Sequence, residues 1–276
     1  MFFMTQTSAS PLRVLITGAS SGLGSAMATA YAKQYCATLQ LGLCGRNASA
    51  LQALADHLHT SYQSHCVVYS VDVRDAPAMQ SMAAHFLNHV GCPHIVIGNA
   101  GVSRGTLTEL SEDIQAFQAV FDTNVMGLVH TFQPFLTAMK KAAAQGKQAQ
   151  VVGVASVAGI RGLPGSGAYS ASKAAAITYL ESLRVEMQLH GIHVTTIAPG
   201  YIRTPMTAIN TYPMPFLMDA DVFSHKAIRA IAAKRRFTII PWQMGIVARL
   251  MRLIPAGVWD WIMKKAPHKA RLPDHH

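Results

Sequence analysis

Near the start of the chain a single junction narrows the possible folds more than any other stretch. Arg13-Val14-Leu15-Ile16-Thr17 is a short apolar run of the kind a buried strand needs. Gly18-Ala19-Ser20-Ser21-Gly22-Leu23-Gly24 follows it at once, and a helical stretch then runs to about Tyr35. A strand, a glycine turn and a helix start, in that order, make a cradle for phosphate. The glycines let backbone approach, and the unpaired N–H groups with the helix dipole favour negative charge. The spacing is G-x-x-x-G-x-G rather than G-x-G-x-x-G, and for the turn by itself a plain glycine-rich loop is the alternative.

The rest of the chain keeps the same alternation. Apolar runs at 38–44, 67–71, 94–98, 150–156 and 192–198 read as further strands. Helical stretches fall near 51–58, after Asp75, over 109–141 and over 168–189. This order predicts an α/β domain with a parallel, doubly wound sheet, a Rossmann fold. The 276 residues, half of them hydrophobic and only 13% charged, suffice for one domain with a sizeable core. No internal repeat or linker divides them. The expected division is a catalytic domain over 1–236 and a basic extension of the same domain over 237–276.

Chemistry-bearing residues gather where these strands end. The second run ends in Gly45-Arg46-Asn47, where a dinucleotide fold meets the adenosine ribose. An acid there would bind the 2′-hydroxyl of NAD. Arg46 stands in its place and suits the 2′-phosphate of NADP, so NADP is expected over NAD. Asp72, followed by Val73, either accepts from the adenine amino group or caps the helix that starts near Asp75. Asn99-Ala100-Gly101 offers small residues beside a cofactor. Asn124 sits in an otherwise apolar helix, where an unbonded amide is costly. Tyr169 and Lys173 lie one helical turn apart on one face. A phenol titrates near about 10, and a neighbouring ammonium is expected to pull it down into a range useful for proton transfer.

Taken together, Thr17-Gly18-Ala-Ser-Ser-Gly22-Leu-Gly24, Asn99-Ala-Gly101, Asn124, Ser156, Tyr169-x-x-x-Lys173 and Pro199-Gly200 resemble the short-chain dehydrogenase/reductase family over about residues 12–205. Gly98 and Ala155 depart from frequent neighbours of these motifs, and neither change removes a catalytic group. The resemblance implies that Tyr169 exchanges a proton with a substrate oxygen, which Ser156 also hydrogen-bonds. It implies that Lys173 tunes the tyrosine and holds the nicotinamide ribose, and that Asn124 positions a relay water. It also implies cofactor contacts from Gly18, Ser20, Ser21, Gly22, Leu23 and Gly24 and from backbone after Pro199 and Gly200, including Ile202 and Thr204. The cofactor would supply the hydride. An epimerase or dehydratase on the same fold has less support, because no extra acid or base stands by the tetrad. A redox-silent NADP sensor remains the rival reading.

The family places a substrate lid over 201–223. Here that stretch carries Met206, Ile209, Met214, Phe216, Leu217 and Met218. Met206 and Phe216 are expected substrate contacts, with a bulky hydrophobic carbonyl or alcohol as substrate. These residues could equally pack on the core. The tail differs in charge from everything before it. Residues 1–225 carry 12 Lys/Arg against 11 Asp/Glu, whereas 226–276 carry 11 against 2. No nucleic-acid module accompanies the basic residues, so no nucleic-acid partner is expected. A strand at 237–240 and a helix over 242–254, with Arg249 and Arg252 outside its apolar arc, precede Pro255 and a second tryptophan-rich segment. This resembles the membrane-docking ends of some hydroxysteroid dehydrogenases. A helix pair covering the core or a partner subunit fits equally well. The start of the chain is too short for a signal-peptide core. The four cysteines form no C-x-x-C pair or metal spacing, and no metal site is expected. The expectation is a cytoplasmic protein with the option of a peripheral seat on the inner face of a membrane, and the resemblance implies a homodimer or homotetramer joined through the helix of Tyr169 and its neighbour.

Overall fold

The computed structural model describes residues 11–210, 212–264, 266 and 271. Its elements run β1 (Leu12–Thr17), α1 (Gly22–Tyr35), β2 (Leu39–Gly45), α2 (Ala48–Tyr62), β3 (His65–Ser70), α3 (Ala76–His89) and β4 (Ile95–Gly98). Then come α4 (Ile114–Phe121), α5 (Gly127–Ala144), β5 (Gln150–Val154), α6 (Gly167–Gln188) and β6 (His193–Pro199). The short pieces β7 (Ile202–Arg203), α7 (Pro205–Ala208) and β8 (Met218–Asp219) lead to α8 (Ala220–Ala232), β9 (Phe237–Ile240), α9 (Trp242–Leu253) and α10 (Ala256–Met263). Seven strands form one sheet in the order β3-β2-β1-β4-β5-β6-β9, every neighbour parallel. The sheet is a single Rossmann-type layer with helices on both faces, as the alternation of elements predicts.

The strands read as unbroken apolar runs because both sides of the sheet are covered. Side chains alternate between two cores. Val14 and Ile16 join α1, α2 and α8 on one face, with Met27, Tyr31, Leu58 and Phe223. Leu15, between them, joins α3, α5 and α6 on the other, with Phe86, Phe132, Phe135 and Leu180. Ile95 and Ile97 against Val96, and Val152 and Val154 against Val151, repeat the pattern.

Three expectations about elements change. The helix expected over 109–141 is interrupted. A 3-10 turn at Ser111–Asp113 precedes α4, and a π turn at Asp122–Met126 separates it from α5. A residue inserted into a helix in this way re-aims the side chains around it, and Asn124 lies at its centre. The stretch 201–223 is not all lid. Ala220 opens α8, whose Phe223 is fully buried in the core against α1. Finally, β9 pairs with β6 and continues the sheet, so only α9 and α10 extend beyond it. No described helix is long and apolar enough to cross a membrane.

Candidate active site

The sheet delivers its strand ends to one cleft. At the mouth of β1, Gly18 adopts φ +65, and a Cβ there would lie 2.8 Å from the Cα of Ala100. Only glycine fits. Gly24 is different. It lies outside the cleft lining, and a Cβ on it would collide with the carbonyl of Gly18, so it serves the packing of α1 on its own turn. Ser21 heads α1 without a side-chain cap bond, and the first turn holds no acid. The first N–H groups of α1 therefore keep their positive end towards the cleft, which Gly18, Ser20, Ser21, Gly22 and Leu23 line. That cradle fits a pyrophosphate.

At the tip of β2, Arg46 is exposed and lines the cleft with Gly45 and Asn47. Asn47 caps α2 by accepting from the Ala50 N–H at 3.0 Å. Asp72 and Val73 also line the cleft. Of the two uses considered for Asp72, the cap is excluded. Asp75 caps α3, accepting from the Ala78 N–H, while Asp72 accepts from the backbone N–H and side chain of Arg74. The Arg74 guanidinium holds the Asp72 carboxyl below its usual range against the opposing effect of burial. Asn99 does more than make room. Its Nδ2 donates to the carbonyls of Thr17 and Gly18 and ties the end of β4 to the glycine turn.

Behind this cradle lie the polar residues of α6. Lys173 is 5% exposed, and its Nζ donates to the Val154 carbonyl at 3.0 Å. Burial lowers its pKa to about 8. Ser156 follows β5, and its Oγ accepts from the Ala158 N–H, which leaves its own proton for another partner. Ser156 hydrogen-bonds Tyr169 and pulls the phenol down, but burial acts more strongly and raises it overall. This corrects the expectation that Lys173 depresses the tyrosine. The ammonium lies 5.9 Å from the centre of the Tyr169 ring and spends its bond on Val154.

Asn124 lies 2% exposed behind the cleft rather than on its wall. Its Oδ1 accepts from the Val102 N–H at 2.8 Å, and its Nδ2 donates to the Val102 carbonyl and to Ser172 Oγ. The side-chain amide is thus committed to protein partners. It clamps the segment after β4 to α6, which explains a polar group among apolar neighbours. Gly101 lies between Asn124 and Lys173, where a Cβ would come within 3.3 Å of both.

Pro199, Gly200, Ile202, Thr204 and Met206 line the far end of the cleft. Phe216 does not. It is half exposed with φ +57 and lies away from the cleft wall. Tyr212 is not on the cleft wall either, but burial, with the nearby Tyr201 and Tyr169, raises its pKa, and its ring meets Tyr201 edge-on at 6.3 Å. Asn47, Thr123, Val102 and Pro205 also line the cleft and were not singled out from sequence. Asn47 carried a legible signal, an asparagine just before a helical stretch. No group of three or more His, Cys, Asp or Glu that could hold a metal occurs among the described residues.

Comparison with known proteins fits this geometry. The family model for short chain dehydrogenase matches residues 13–212. An uncharacterized oxidoreductase of Myxococcus xanthus is 35% identical over 89% of this chain and 94% of its own. The dehydrogenase/reductase SDR family member 7B of Bos taurus is 32% identical over 95% of this chain and 83% of its own. Among solved structures, a short chain dehydrogenase/reductase from Burkholderia phymatum in complex with NAD aligns with a TM-score of 0.78 at 24% identity, covering 96% of this chain and 99% of that one. A short-chain dehydrogenase from Sphingobium yanoikuyae in complex with NADPH aligns with a TM-score of 0.74 at 22% identity, covering 96% and 100%.

Proposed function

The chain belongs to the short-chain dehydrogenase/reductase family, and from that premise we propose an NADP(H)-dependent oxidoreductase that interconverts a bulky hydrophobic ketone and its secondary alcohol. One observation carries the reading: Ser156 and Tyr169 are hydrogen-bonded to each other beside buried Lys173, at the inner end of a cleft whose outer end is a phosphate cradle. The glycine turn would hold the pyrophosphate, Arg46 the 2′-phosphate, Asp72 and Val73 the adenine side. Lys173 would hold the nicotinamide ribose, and Ile202 and Thr204 the carboxamide. When bound, the dinucleotide supplies the hydride.

The protein's own part is to manage one proton and one oxygen. Ser156 Oγ, its lone pair occupied by the Ala158 N–H, donates to the substrate oxygen and stabilises charge growing there. Tyr169 gives its phenolic proton to the same oxygen, and the burial that raises its pKa keeps that proton on it beforehand. Lys173, lowered to about 8, titrates close to neutrality and so can return a proton at little cost. In oxidation each transfer runs backwards. Asn124 positions Val102 and α6 through its side-chain amide. Met206 lines the cleft and Tyr212 lies near Tyr169, and their apolar surface favours a hydrophobic substrate. Exposed Ile114, Phe121, Met126 and Val185 on α4, the π turn and α6, with Leu189 just after α6, support association of copies through these helices.

Turnover of NADPH with a panel of hydrophobic ketones tests the reading. Activity is expected, with a loss of at least about a thousandfold in Tyr169→Phe. Tight NADPH binding without turnover in either direction would replace it with the sensor.

A further inference from the structure

The apolar arc of α9 is wide enough to face two ways. Met244, Gly245 and Ala248 turn inward and are buried, with Gly245 over Ile239 and Met244 over Gly200. Trp242, Ile246, Leu250 and Leu253, spaced four, four and three, occupy the outer face at 65, 46, 58 and 79% exposure. After the break at Pro255, α10 turns Trp259 inward under Arg161, whose guanidinium carbon lies 4.6 Å from the ring centre. Val258, Trp261 and Ile262 stay outside, Trp261 at 78% exposure. Seven large apolar side chains thus form the surface of two consecutive helices. A sheet-edge groove beside them is lined by Arg235, Arg249, Arg252, Phe237 and Trp242. Among the described residues, none of these three guanidinium groups has an acid partner.

We propose that the outer face of α9–α10 docks on an anionic lipid bilayer, with the arginine groove receiving phosphate headgroups. Charge decides between occupants. A second copy docking by two-fold symmetry would bring six of these arginines into one interface against a single exposed acid of α9–α10 per copy, Asp260. A bilayer with anionic lipids satisfies both halves of the surface, tryptophan and leucine entering the interface while the arginines stay at headgroup level. With 12 and 8 residues, the helices can only lie in that interface, not cross it. The docking stands on the tail's own geometry and does not depend on which reaction the cleft performs.

Full-length protein sedimented with vesicles of phosphatidylcholine alone, or of phosphatidylcholine with phosphatidylglycerol, tests this. Binding to the anionic vesicles is expected about a hundredfold tighter, falling as salt rises. Tryptophan emission should shift to the blue on those vesicles and be quenched by brominated acyl chains. A Leu253→Ser/Trp261→Ser variant, with its fold checked by circular dichroism and thermal melting, should lose most binding. Arg249→Glu/Arg252→Glu should lose the anionic preference. Equal affinity for both vesicles, no binding to either, or full binding by the Leu253→Ser/Trp261→Ser variant would overturn the proposal. So would a dimer that this double variant dissolves in protein without vesicle affinity, because that would identify a second copy as the occupant.

Discussion

Lys173 is costly to the fold and useful to the chemistry for the same reason. Burial holds its pKa near 8, below the ordinary lysine value, so the folded protein sheds this proton before the unfolded chain does. The sign follows from linkage: between about pH 8 and 10.5 the unfolded state binds more protons, and stability rises with pH. Below pH 8 the charging penalty is present in full. Chemical denaturation of the unliganded protein at pH 7.5 and pH 9.5 should therefore show a rise that Lys173→Met lacks, on the order of 2 kcal/mol in the difference. Tyr169, raised by burial, acts in the opposite direction above about pH 10 and sets the upper end of the useful window. Arg46 yields a second prediction. Exposed at the tip of β2 with no acid beside it on that strand, it should discriminate the cofactors through one charge-assisted contact. Arg46→Ala should raise KM for NADPH about tenfold to a hundredfold while moving KM for NADH little. Equal changes for the two cofactors would remove Arg46 from the reading. Both residues were legible in the sequence, because a cation at a strand tip and a lysine one turn from a tyrosine are local patterns. Tyr212 was not. Its nearness to Tyr169 is a tertiary contact between segments far apart in the chain, and no spacing encodes that. Nor could spacing reveal that the Lys173 ammonium turns to Val154 instead of the phenol.

At the scale of elements, the strands were legible because both faces of the sheet are buried, which removes the polar alternation of a one-sided strand and leaves plain apolar runs. The helices were less so. The π turn at Asp122–Met126 adds one residue to a turn and leaves the hydrophobic pattern nearly intact, so 109–141 looks continuous. Helix α8 carried an amphipathic signal in Phe223, Ala227, Ile228 and Ile231, but the resemblance drew the lid across its start. Helix α9 shows the limit of periodicity itself, since an apolar arc does not say which part of it meets the core. What fixes α9 and α10 in place is a residue from another element. Arg161, in the loop between β5 and α6, donates from Nη1 to the carbonyls of Met251 and Ile254 and lies over the Trp259 ring. It thereby satisfies orphan carbonyls at the end of α9 and holds the first side chain that α10 turns inward. Arg161→Ala should cost about 1–3 kcal/mol. Amide exchange should quicken across Trp242–Met263 ahead of the sheet, and Arg161→Lys should restore only part of the protection. Unchanged protection over that segment would show that β9 alone holds the helices.

Over the whole molecule, sequence distance is folded back onto the catalytic helix. Thr106 bridges to Ser166, its N–H donating to the Gly165 carbonyl, and its Oγ1 accepts from the Ala168 N–H beside Tyr169. The adjoining Leu107 N–H donates to Asp113 Oδ2 at 2.7 Å. Asp113 also accepts three bonds from Arg271, 158 residues further along, and Glu112 takes a fourth. The guanidinium keeps the Asp113 carboxyl below its usual range. A path of bonds thus runs from Arg271 through Asp113 and residues 106–107 to the start of α6. The Asp113 carboxylate is nearly enclosed, at 9% side-chain exposure, so a partner removed from it is not simply replaced by bulk water. In Arg271→Ala the Leu107 bond should weaken with it. Exchange at 106–113 should rise several-fold, and kcat/KM for a bulky ketone should fall through KM more than through kcat, because the segment braces the start of α6 and carries no reacting group. The sign with pH is set by the same carboxylate. Its folded pKa is depressed, so the stability it lends is present above the ordinary carboxylate range and lost as pH falls towards the lowered value. Acidification should therefore open 106–113 in the unaltered protein and change Arg271→Ala less. If exchange there is the same in both proteins at every pH, the bonds to Arg271 do not hold this segment.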